Sequence, residues 1–387
     1  MENKKARVIA YYLPQFHPIP ENDEWWGKGF TEWTNVAKAK PLFKGHYQPK
    51  IPADLGFYDL RMPEIREAQA QLAREAGIEG FCYWHYWFGE GKQLLEKPFK
   101  EVLETGKPDF PFCLGWANED WTNKSWDNVK KFTKSKVLVK QMYSDADYEN
   151  HFMYVLKAFK DKRYIKVDNK PLFVIFRPQN IPDVKSFIDL WQRLALKNGL
   201  DGIYFVGISS NLRGFNLENG KKKYALTKVS NSATTYYNEI LDMGFSAVNS
   251  RGTFRAEMMA RGMILKTIEK IMQIVFKVNK LNVYPFKNII PHLFVPEDKW
   301  LNVHPTLLPN WDRSARSGKF ATIYSNSTPE LFAKHLDDAL NIVSQKDYEH
   351  RILFLQSWNE WAEGNFVEPD LKFGRKYIDV LKSKLLQ

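Results

Sequence analysis

The sequence predicts an α/β fold, namely a (β/α)8 TIM barrel with long loop insertions. Short apolar runs that suit buried strands alternate about eight times with segments of helical periodicity along the 387 residues. One helix lies between most successive strands, which is the pattern of a parallel sheet. An open doubly wound sheet is the alternative, but no G-x-G-x-x-G or phosphate-loop motif follows a strand to support it.

Eight segments are predicted to form the strands of this barrel, because each is a short run of mainly apolar residues. The second is rich in aromatic residues, and the last leads directly into a turn crowded with tryptophan. In chain order the predicted strands are Arg7–Leu13, Glu79–Phe88, Phe110–Ala117, Pro171–Phe176, Ile203–Ile208, Phe245–Asn249, Pro305–Pro309 and Ile352–Leu355.

Helical periodicity occupies the intervals between these strands and continues after the last one. The predicted helices are Pro63–Ala76, Leu94–Glu104, Asp147–Lys160, Val184–Lys197, Pro329–Val343 and Arg375–Leu386. A simple barrel takes about 250 residues, so the surplus must lie in loops. We therefore expect residues 1–387 to form a single catalytic barrel domain with insertions near 25–58, 122–143 and 254–304.

Composition and charge narrow the class of protein. Hydrophobic residues make up 44% of the chain and aromatic residues 15%, which excludes a disordered protein. The net charge of +11 comes with no recognised nucleic-acid-binding motif, so we expect no nucleic-acid partner. Its basic clusters usually mean a solvated face, and the alternative is a surface that meets anionic lipid or a phosphorylated carrier.

The expected location is the cytoplasm. No apolar signal-peptide core follows the basic residues at the start, and no stretch approaches the ~18 to 20 apolar residues of a membrane span. Cys82 and Cys113 lie in apolar runs and are expected to be buried thiols, in agreement with a reducing compartment. Met258–Val278 reads as a basic amphipathic helix, which either packs on the barrel or lies peripherally on the inner membrane near a lipid-linked glycan.

Two glutamates follow the eighth strand and are the predicted catalytic residues. Glu360 and Glu363 lie in a turn that is rich in tryptophan and ends at Gly364. Sugar chemistry uses two nearby carboxyl groups, of which one is kept protonated in an apolar setting and the other stays ionised. The alternative is a helix N-terminus with two acids that the helix dipole stabilises without any chemistry.

The barrel fold also predicts which other residues surround the substrate. In such barrels the site lies at the C-terminal ends of the strands, so polar and aromatic residues at those ends should converge. No H-x-x-x-H or paired-cysteine spacing indicates a metal, and we expect no cofactor. The predicted substrate-binding residues are Tyr12, Gln15, His17, Glu32, Trp33, Trp84, His85, Tyr86, Trp116, Asn118, Glu119, Trp121, Trp311, Asp312, Arg316, Trp358, Asn359 and Trp361.

Several of these residues have a second interpretation. Glu119 follows an asparagine at a strand end, so it could be the catalytic acid with Glu360 as nucleophile. His17 and His85 could be structural histidines, and Glu32 could cap a helix. Asp312 and Arg316 could pair with each other at four-residue spacing instead of binding sugar.

Six motifs together resemble the WbsX-type polysaccharide biosynthesis proteins, which are similar to glycoside hydrolase family 99, the endo-α-mannosidase-like enzymes. The resemblance covers nearly the whole chain in order. The motifs are Tyr11-Tyr12-Leu13-Pro14-Gln15-Phe16-His17, Gly29-Phe30-Thr31-Glu32-Trp33, Tyr83-Trp84-His85-Tyr86-Trp87, Trp116-Ala117-Asn118-Glu119, Trp311-Asp312 with Arg316, and Trp358-Asn359-Glu360-Trp361-Ala362-Glu363-Gly364.

The resemblance implies a metal-free barrel that cleaves α-mannosidic bonds within a glycan with net retention. It implies that Glu360 is the base acting on the sugar's own 2-hydroxyl group and that Glu363 is the general acid. The chain departs from the hydrolase motif at Ala362, where histidine is common between the two acids. The lack of an export signal is a second departure, and it points to glycan assembly instead of digestion.

The function that follows is a carbohydrate-active enzyme of surface polysaccharide metabolism, such as that of O-antigen, capsule or lipopolysaccharide. The favoured activity is a retaining glycoside hydrolase acting on an oligo- or polysaccharide. One alternative is a glycosyltransferase with a nucleotide-sugar or lipid-linked donor, because a fold resemblance does not fix the direction of reaction. A second alternative is a glycan-binding protein without catalysis.

Overall fold

Eight parallel strands close into a barrel, which confirms the predicted fold class. The computed structural model describes residues 4–126, 135–209, 233–262 and 281–386, together with the backbone of 215–218 and 221–224. The barrel strands are β1 (Arg7–Tyr12), β2 (Gly80–Gly89), β3 (Phe112–Trp116), β4 (Lys170–Ile175), β5 (Tyr204–Ser209), β6 (Ala247–Ser250), β7 (Val303–Leu307) and β8 (Ile352–Leu355).

The barrel closes between its first and last strands. Arg7 of β1 pairs in parallel with Ile352 of β8, and Ala10 pairs with Leu355. The other strands are neighbours in chain order around the ring. All eight predicted strands therefore overlap observed ones, and no end is more than two residues away from its prediction. β7 is displaced by two residues at both ends, from the predicted Pro305–Pro309 to Val303–Leu307.

Helices occupy the outside of the barrel and its loops. The predicted helix Leu94–Glu104 begins later than expected, because Lys92–Leu94 pairs antiparallel with the end of β2. The described helices are α1 (Pro20–Trp26), α2 (Glu32–Lys38), α3 (Pro63–Glu75), α4 (Lys97–Thr105), α5 (Asp145–Phe159), α6 (Val184–Lys197), α7 (Ala233–Asp242), α8 (Thr253–Arg261), α9 (Phe286–Ile289), α10 (Ser314–Ser317), α11 (Pro329–Val343) and α12 (Lys376–Leu385).

Alternate residues of each strand face opposite sides of the barrel wall. Tyr11 faces inward: its ring stacks on Trp84 with centroids 4.7 Å apart, and its hydroxyl donates to Asn249 Oδ1 at 2.8 Å. Tyr12 faces outward, and its hydroxyl donates to Gln69 Oε1 on α3 at 2.7 Å. This alternation decides which strand-end residues reach the mouth of the barrel.

Cys82 and Cys113 are buried free thiols, as expected. Among the described residues, no helix has both the length and the apolar character needed to cross a membrane. Most of the predicted amphipathic helix Met258–Val278 falls in 263–280, outside the described residues, and α8 ends at Arg261.

Candidate active site

The two predicted catalytic glutamates lie on one short turn at the C-terminal end of β8. Glu360 pairs with Asn365 in a two-residue antiparallel ladder, and Trp361–Glu363 forms a single 3-10 turn between them. Gly364 ends the turn with φ of 68°, a conformation that side chains rarely adopt. A Cβ atom at Gly364 would lie 2.7 Å from Lys50 Nζ and 2.9 Å from Asp312 Cβ, so only glycine fits there.

Glu363 is held by two arginines. Arg316 Nη1 donates to Glu363 Oε1 at 2.7 Å, and Arg313 Nη2 lies 3.1 Å from the same oxygen. Burial alone would raise the pKa of Glu363, but the charges of Arg313, Arg316 and Arg251 outweigh it and lower the pKa below its usual value. Glu363 is therefore an ionised carboxylate at neutral pH.

Glu360 has the opposite electrostatic setting. Among the described residues its carboxyl group has no hydrogen-bond or ion-pair partner, while its backbone N–H donates to Ser357 Oγ at 2.9 Å. Burial, followed by the negative charge of Glu363, raises the pKa of Glu360 to about 7. Of the two carboxyl groups, Glu360 is therefore the one that takes up a proton more readily near neutral pH. This arrangement is the reverse of the roles that the resemblance implies.

Three buried acidic residues hold the Trp361–Glu363 turn, two through their carboxyl groups and one through its backbone N–H. Trp361 Nε1 donates to Glu368 Oε2 at 2.6 Å. The backbone N–H of Ala362 donates to Glu32 Oε1 at 3.2 Å. The backbone carbonyl of Glu363 accepts from the N–H of Asp312 at 2.7 Å. The turn that follows Glu360 and contains Glu363 is thus held by three contacts.

Arg316 links Glu32 to Glu363. Its Nε donates to Glu32 Oε1 at 3.1 Å while its Nη1 bonds Glu363, and its guanidinium lies 4.6 Å from the centre of the Trp126 ring. Burial raises the pKa of Glu32, and Arg316 opposes that shift. Arg316 thus lies beside the predicted glutamate pair and bonds protein carboxylates there, and its role in substrate binding stays a prediction.

Asp312 was predicted to bind substrate, and the structure gives it a different place. Its side chain is buried, and Oδ2 accepts hydrogen bonds from Gln48 Nε2 and Lys50 Nζ, each at 2.8 Å, and contacts His46 Nε2 at 3.0 Å. Oδ1 accepts from the backbone N–H of Ser314 at 3.0 Å. Asp312 is therefore enclosed by protein donors, and the alternative pairing with Arg316 is not observed either.

Aromatic and basic side chains lie at the end of the barrel that carries the glutamates. Trp84 faces the barrel interior, and Tyr86 packs against Trp121 with ring centroids 5.2 Å apart. Burial, followed by the charge of Glu360, raises the pKa of Tyr86, which places its phenol close to that carboxyl group. Arg251 lies 5.3 Å from the centre of the Tyr11 ring.

Glu119 lies at the end of β3 and forms a partly exposed ion pair with Arg177, with Nε and Oε2 3.2 Å apart. The charge of Glu119 also acts on Tyr86, so Glu119 lies on the same side of the barrel as the glutamate pair. Its role in substrate binding and its alternative role as a catalytic acid both stay predictions.

Three predicted residues lie on the outer face of the barrel wall and are not brought to the site. Tyr12 contacts α3, as described above. His85 and His151 of α5 have their Nε2 atoms 2.9 Å apart, and burial lowers the pKa of His85 to about 3. Trp116 is buried, with Nε1 donating to the carbonyl of Trp87 at 2.8 Å. These three side chains pack the helices onto the barrel instead of meeting a substrate.

Two predicted asparagines join neighbouring strand ends. Asn359 Oδ1 accepts from Leu13 N at 2.8 Å, and its Nδ2 donates to Leu13 O at 3.0 Å. Asn118 makes the same two contacts with the backbone of Arg177, at 2.8 and 2.9 Å. Both side chains are completely buried, so their observed role is to fix the rim of the barrel.

The remaining predicted residues are buried or partly buried. Gln15 and His17 are buried in the turn after β1, where burial lowers the pKa of His17 to about 4. Trp33 Nε1 donates to the carbonyl of Tyr58 at 2.8 Å. Trp358 and Trp361 are fully buried in the core, and Trp311 is partly buried beside a small second apolar cluster.

Sequence reasoning missed several residues of this region. Arg251 and Arg313 follow the ends of β6 and β7, so the strand-end rule could have found them. Trp126 lies in a predicted insertion, where no strand end marks it. Lys50 and Glu368 gave no local signal, because their partners lie far away in the chain.

Comparison with known proteins places this chain in a family. The family model described as "Glycosyltransferase WbsX" matches residues 8–381. The chain belongs to the WbsX family. Membership of this family supports a carbohydrate-active enzyme. The chain is also 32% identical over 385 residues to "Uncharacterized protein WxcX" of Xanthomonas campestris pv. campestris, with 99% of this chain and 50% of that protein covered. It thus spans about half the length of the curated relatives it matches.

Solved structures confirm the barrel of this WbsX family member. A "Glycoside hydrolase-like protein" superposes with a TM-score of 0.59 at 14% identity, covering 100% of this chain and 96% of that one. The GH99 endo-alpha-mannosidase from Bacteroides thetaiotaomicron, in complex with BIS-TRIS-propane, superposes with a TM-score of 0.53, also at 14% identity, covering 98% and 95%. These similarities establish the fold.

Proposed function

We propose that this protein is a retaining glycoside hydrolase that cleaves within an α-linked, mannan-like glycan of surface polysaccharide metabolism. The observation that carries the proposal is the pair of carboxyl groups on one turn at the barrel mouth. Glu363 is ionised between two arginines, while Glu360 is placed to hold a proton at neutral pH. A glycosidase needs these two protonation states side by side.

The proposed chemistry follows from where the proton rests. Glu360 donates its proton to the glycosidic oxygen as the bond from that oxygen to the anomeric carbon breaks. Glu363 accepts the proton of the sugar's 2-hydroxyl group, whose oxygen bonds to the anomeric carbon and forms an epoxide-like intermediate. Water then opens this ring at the anomeric carbon, giving one proton to Glu360 while Glu363 returns its proton to the 2-oxygen. The configuration at the anomeric carbon is inverted twice and is therefore retained overall.

The surroundings of the pair support a sugar as the substrate. Tyr86 lies near Glu360 and packs against Trp121, and Trp84 stacks on Tyr11 inside the barrel. Aromatic faces suit the C–H surface of a sugar ring, and the arginine side chains can donate to its hydroxyl oxygens. The proposed partner is therefore an oligo- or polysaccharide, or its lipid-linked precursor at the inner face of the cytoplasmic membrane.

A glycosyltransferase is the second candidate, and the description of the WbsX family favours it. In that case the same cleft would bind a nucleotide-sugar or lipid-linked donor, and the intermediate would pass to an acceptor hydroxyl instead of water. A glycan-binding protein without turnover is the remaining alternative.

Product analysis by mass spectrometry tests these functions directly. The wild type and the E360Q/E363Q variant are incubated with a panel of α-mannosides and surface polysaccharides, with and without nucleotide sugars. We expect shorter glycans from the wild type alone, without any donor. Longer glycans that require a donor would establish transfer, and binding without turnover in both proteins would overturn catalysis. E75Q is the control, because Glu75 is a partly exposed ion-paired acid at the end of α3 and is not among the predicted site residues.

A further inference from the structure

A buried ionic cluster lies directly behind the catalytic turn and is not used by the proposed chemistry. It consists of Asp312 together with His46, Gln48 and Lys50. All four side chains are at least nine-tenths buried, and Lys50 is only 2% exposed. The three donors, at positions 46, 48 and 50, lie on the loop between β1 and β2, and all three meet a single oxygen, Oδ2 of Asp312.

This arrangement needs a physical reason, because burying a lysine and an aspartate removes both charges from water. The cost is offset only when the geometry is good and the remaining hydrogen-bonding groups are satisfied. Asp312 meets that condition with four contacts, and the charge of Lys50 and the contacts of His46 hold its pKa well below the usual value despite burial. Asp312 is therefore an ionised anchor that is fixed by protein donors.

The anchor is joined to Glu363 by two routes. The backbone N–H of Asp312 donates to the carbonyl of Glu363 at 2.7 Å. Asp312 also begins the segment that presents Arg313 and Arg316, and both arginines contact Glu363 Oε1. Lys50 packs against the Cα of Gly364, where a side chain would collide with its Nζ. The cluster thus sets both the main chain of Glu363 and the cations that face its carboxylate.

From this geometry we infer that Asp312, held by Lys50, His46 and Gln48, is a positioning residue that keeps Glu363 between its two arginines. The inference rests on the proposed function in that it assigns the cluster to the same catalytic pair. The charged groups that face Glu363 are Glu360 on its own turn, Arg251 after β6, and Arg313 and Arg316 after β7, with Glu32 of α2 reached through Arg316.

The test follows the titration of Glu363 itself, so it does not require turnover. Full-length protein is labelled with 13C at the glutamate Cδ atoms, and the Glu363 carboxyl signal is assigned by its loss in E363Q. In D312N the arginines should withdraw from Glu363, and its midpoint should move to higher pH by about one unit or more, as expected when an opposite charge leaves a carboxylate. Q48A, which removes one donor, gives a smaller shift in the same direction and serves if D312N does not fold.

Two controls separate positioning from general stability. R7Q breaks the buried Arg7–Glu79 ion pair at the opposite end of the barrel and should lower the melting temperature without moving the Glu363 titration. K50R keeps the positive charge and should restore most of the wild-type midpoint relative to K50Q. Identical Glu363 midpoints in the wild type, D312N, K50Q and Q48A would overturn the inference.

The outcome is independent of the proposed function. If the wild type cleaves no glycan but D312N shifts the Glu363 titration, the hydrolase proposal fails and the positioning role stands. If the wild type cleaves glycans and D312N changes neither the titration nor the acid limb of the pH–rate profile, the positioning role fails alone.

Discussion

Arg316 and Glu363 form a buried ion pair in which Nη1 and Oε1 are 2.7 Å apart. The same guanidinium also bonds Glu32, so one cation serves two carboxylates beneath the barrel mouth. A carboxylate held this way does not readily take a proton. In the proposed function the acid of the pair is therefore Glu360, whose carboxyl group has no such partner among the described residues.

The two glutamates should respond differently to the leaving group. E360Q should lose about 10²- to 10⁴-fold in kcat/KM on natural glycans, the usual contribution of general acid catalysis, but much less on activated aryl glycosides. E363Q should lose activity on both substrates, because every leaving group needs the base. Steady-state kinetics on the two substrate types measure this difference. The opposite pattern would restore the roles that the resemblance implies.

The pH–rate profile should place the acid limb on Glu363 and the alkaline limb on Glu360. The raised pKa of Glu360 keeps it protonated below about pH 7, so kcat/KM should fall as the pH rises through that value. The lowered pKa of Glu363 keeps it ionised down to acidic pH, so the rate should persist there. The measurement is kcat/KM between pH 4 and pH 9. A rate that keeps rising above pH 8 would contradict the assignment of Glu360 as proton donor.

Replacing Arg316 should damage both stability and catalysis. R316Q leaves two buried carboxylates without their shared cation, and breaking a buried pair typically costs about 3 to 5 kcal/mol. R316K should recover little, because an ammonium group cannot reproduce the two-sided contact of the guanidinium. Urea unfolding measures the first effect, and kcat measures the second. R61Q, at an exposed ion pair, is the control that should change the free energy of unfolding by less than about 1 kcal/mol.

His85 should make the protein less stable in acid. Burial lowers its pKa to about 3, whereas an unfolded chain takes up the proton near pH 6.5. Below pH 6.5 the unfolded state therefore binds more protons than the folded state, and stability falls as the pH falls. On going from pH 8 to pH 5, the free energy of unfolding of the wild type should fall by about 2 kcal/mol more than that of H85Q. Urea unfolding of both proteins at both pH values measures this fall. An equal fall in the wild type and in H85Q would contradict the prediction.

The fold was accessible from the sequence because its signals are local. Each barrel strand is buried on both faces and therefore reads as a continuous apolar run, as in Ile352–Leu355. The short helices α9 and α10 were missed because four residues leave too little periodicity to detect. The start of β7 was misplaced because Pro305 reads as a strand boundary, whereas it lies inside the strand.

The site could be predicted only in part from the sequence, because the strand ends carry aromatic residues on both faces. Alternation along β2 separates Trp84 and Tyr86, which face the barrel interior and mouth, from His85, which faces α5. Applying this rule would have excluded His85 in advance. No comparable rule could have found the Lys50–Asp312 pair, because its members are separated by 262 residues in the chain.

The contacts between Asn359 and Leu13 join the last barrel strand to the first beside the catalytic turn. During synthesis β8 emerges after the seven other strands, and both catalytic glutamates emerge directly after it. Ring closure and assembly of the proposed catalytic pair are therefore the same event. A partly translated chain lacks this pair, so under the proposed function any enzymatic signal reports a barrel that has already closed.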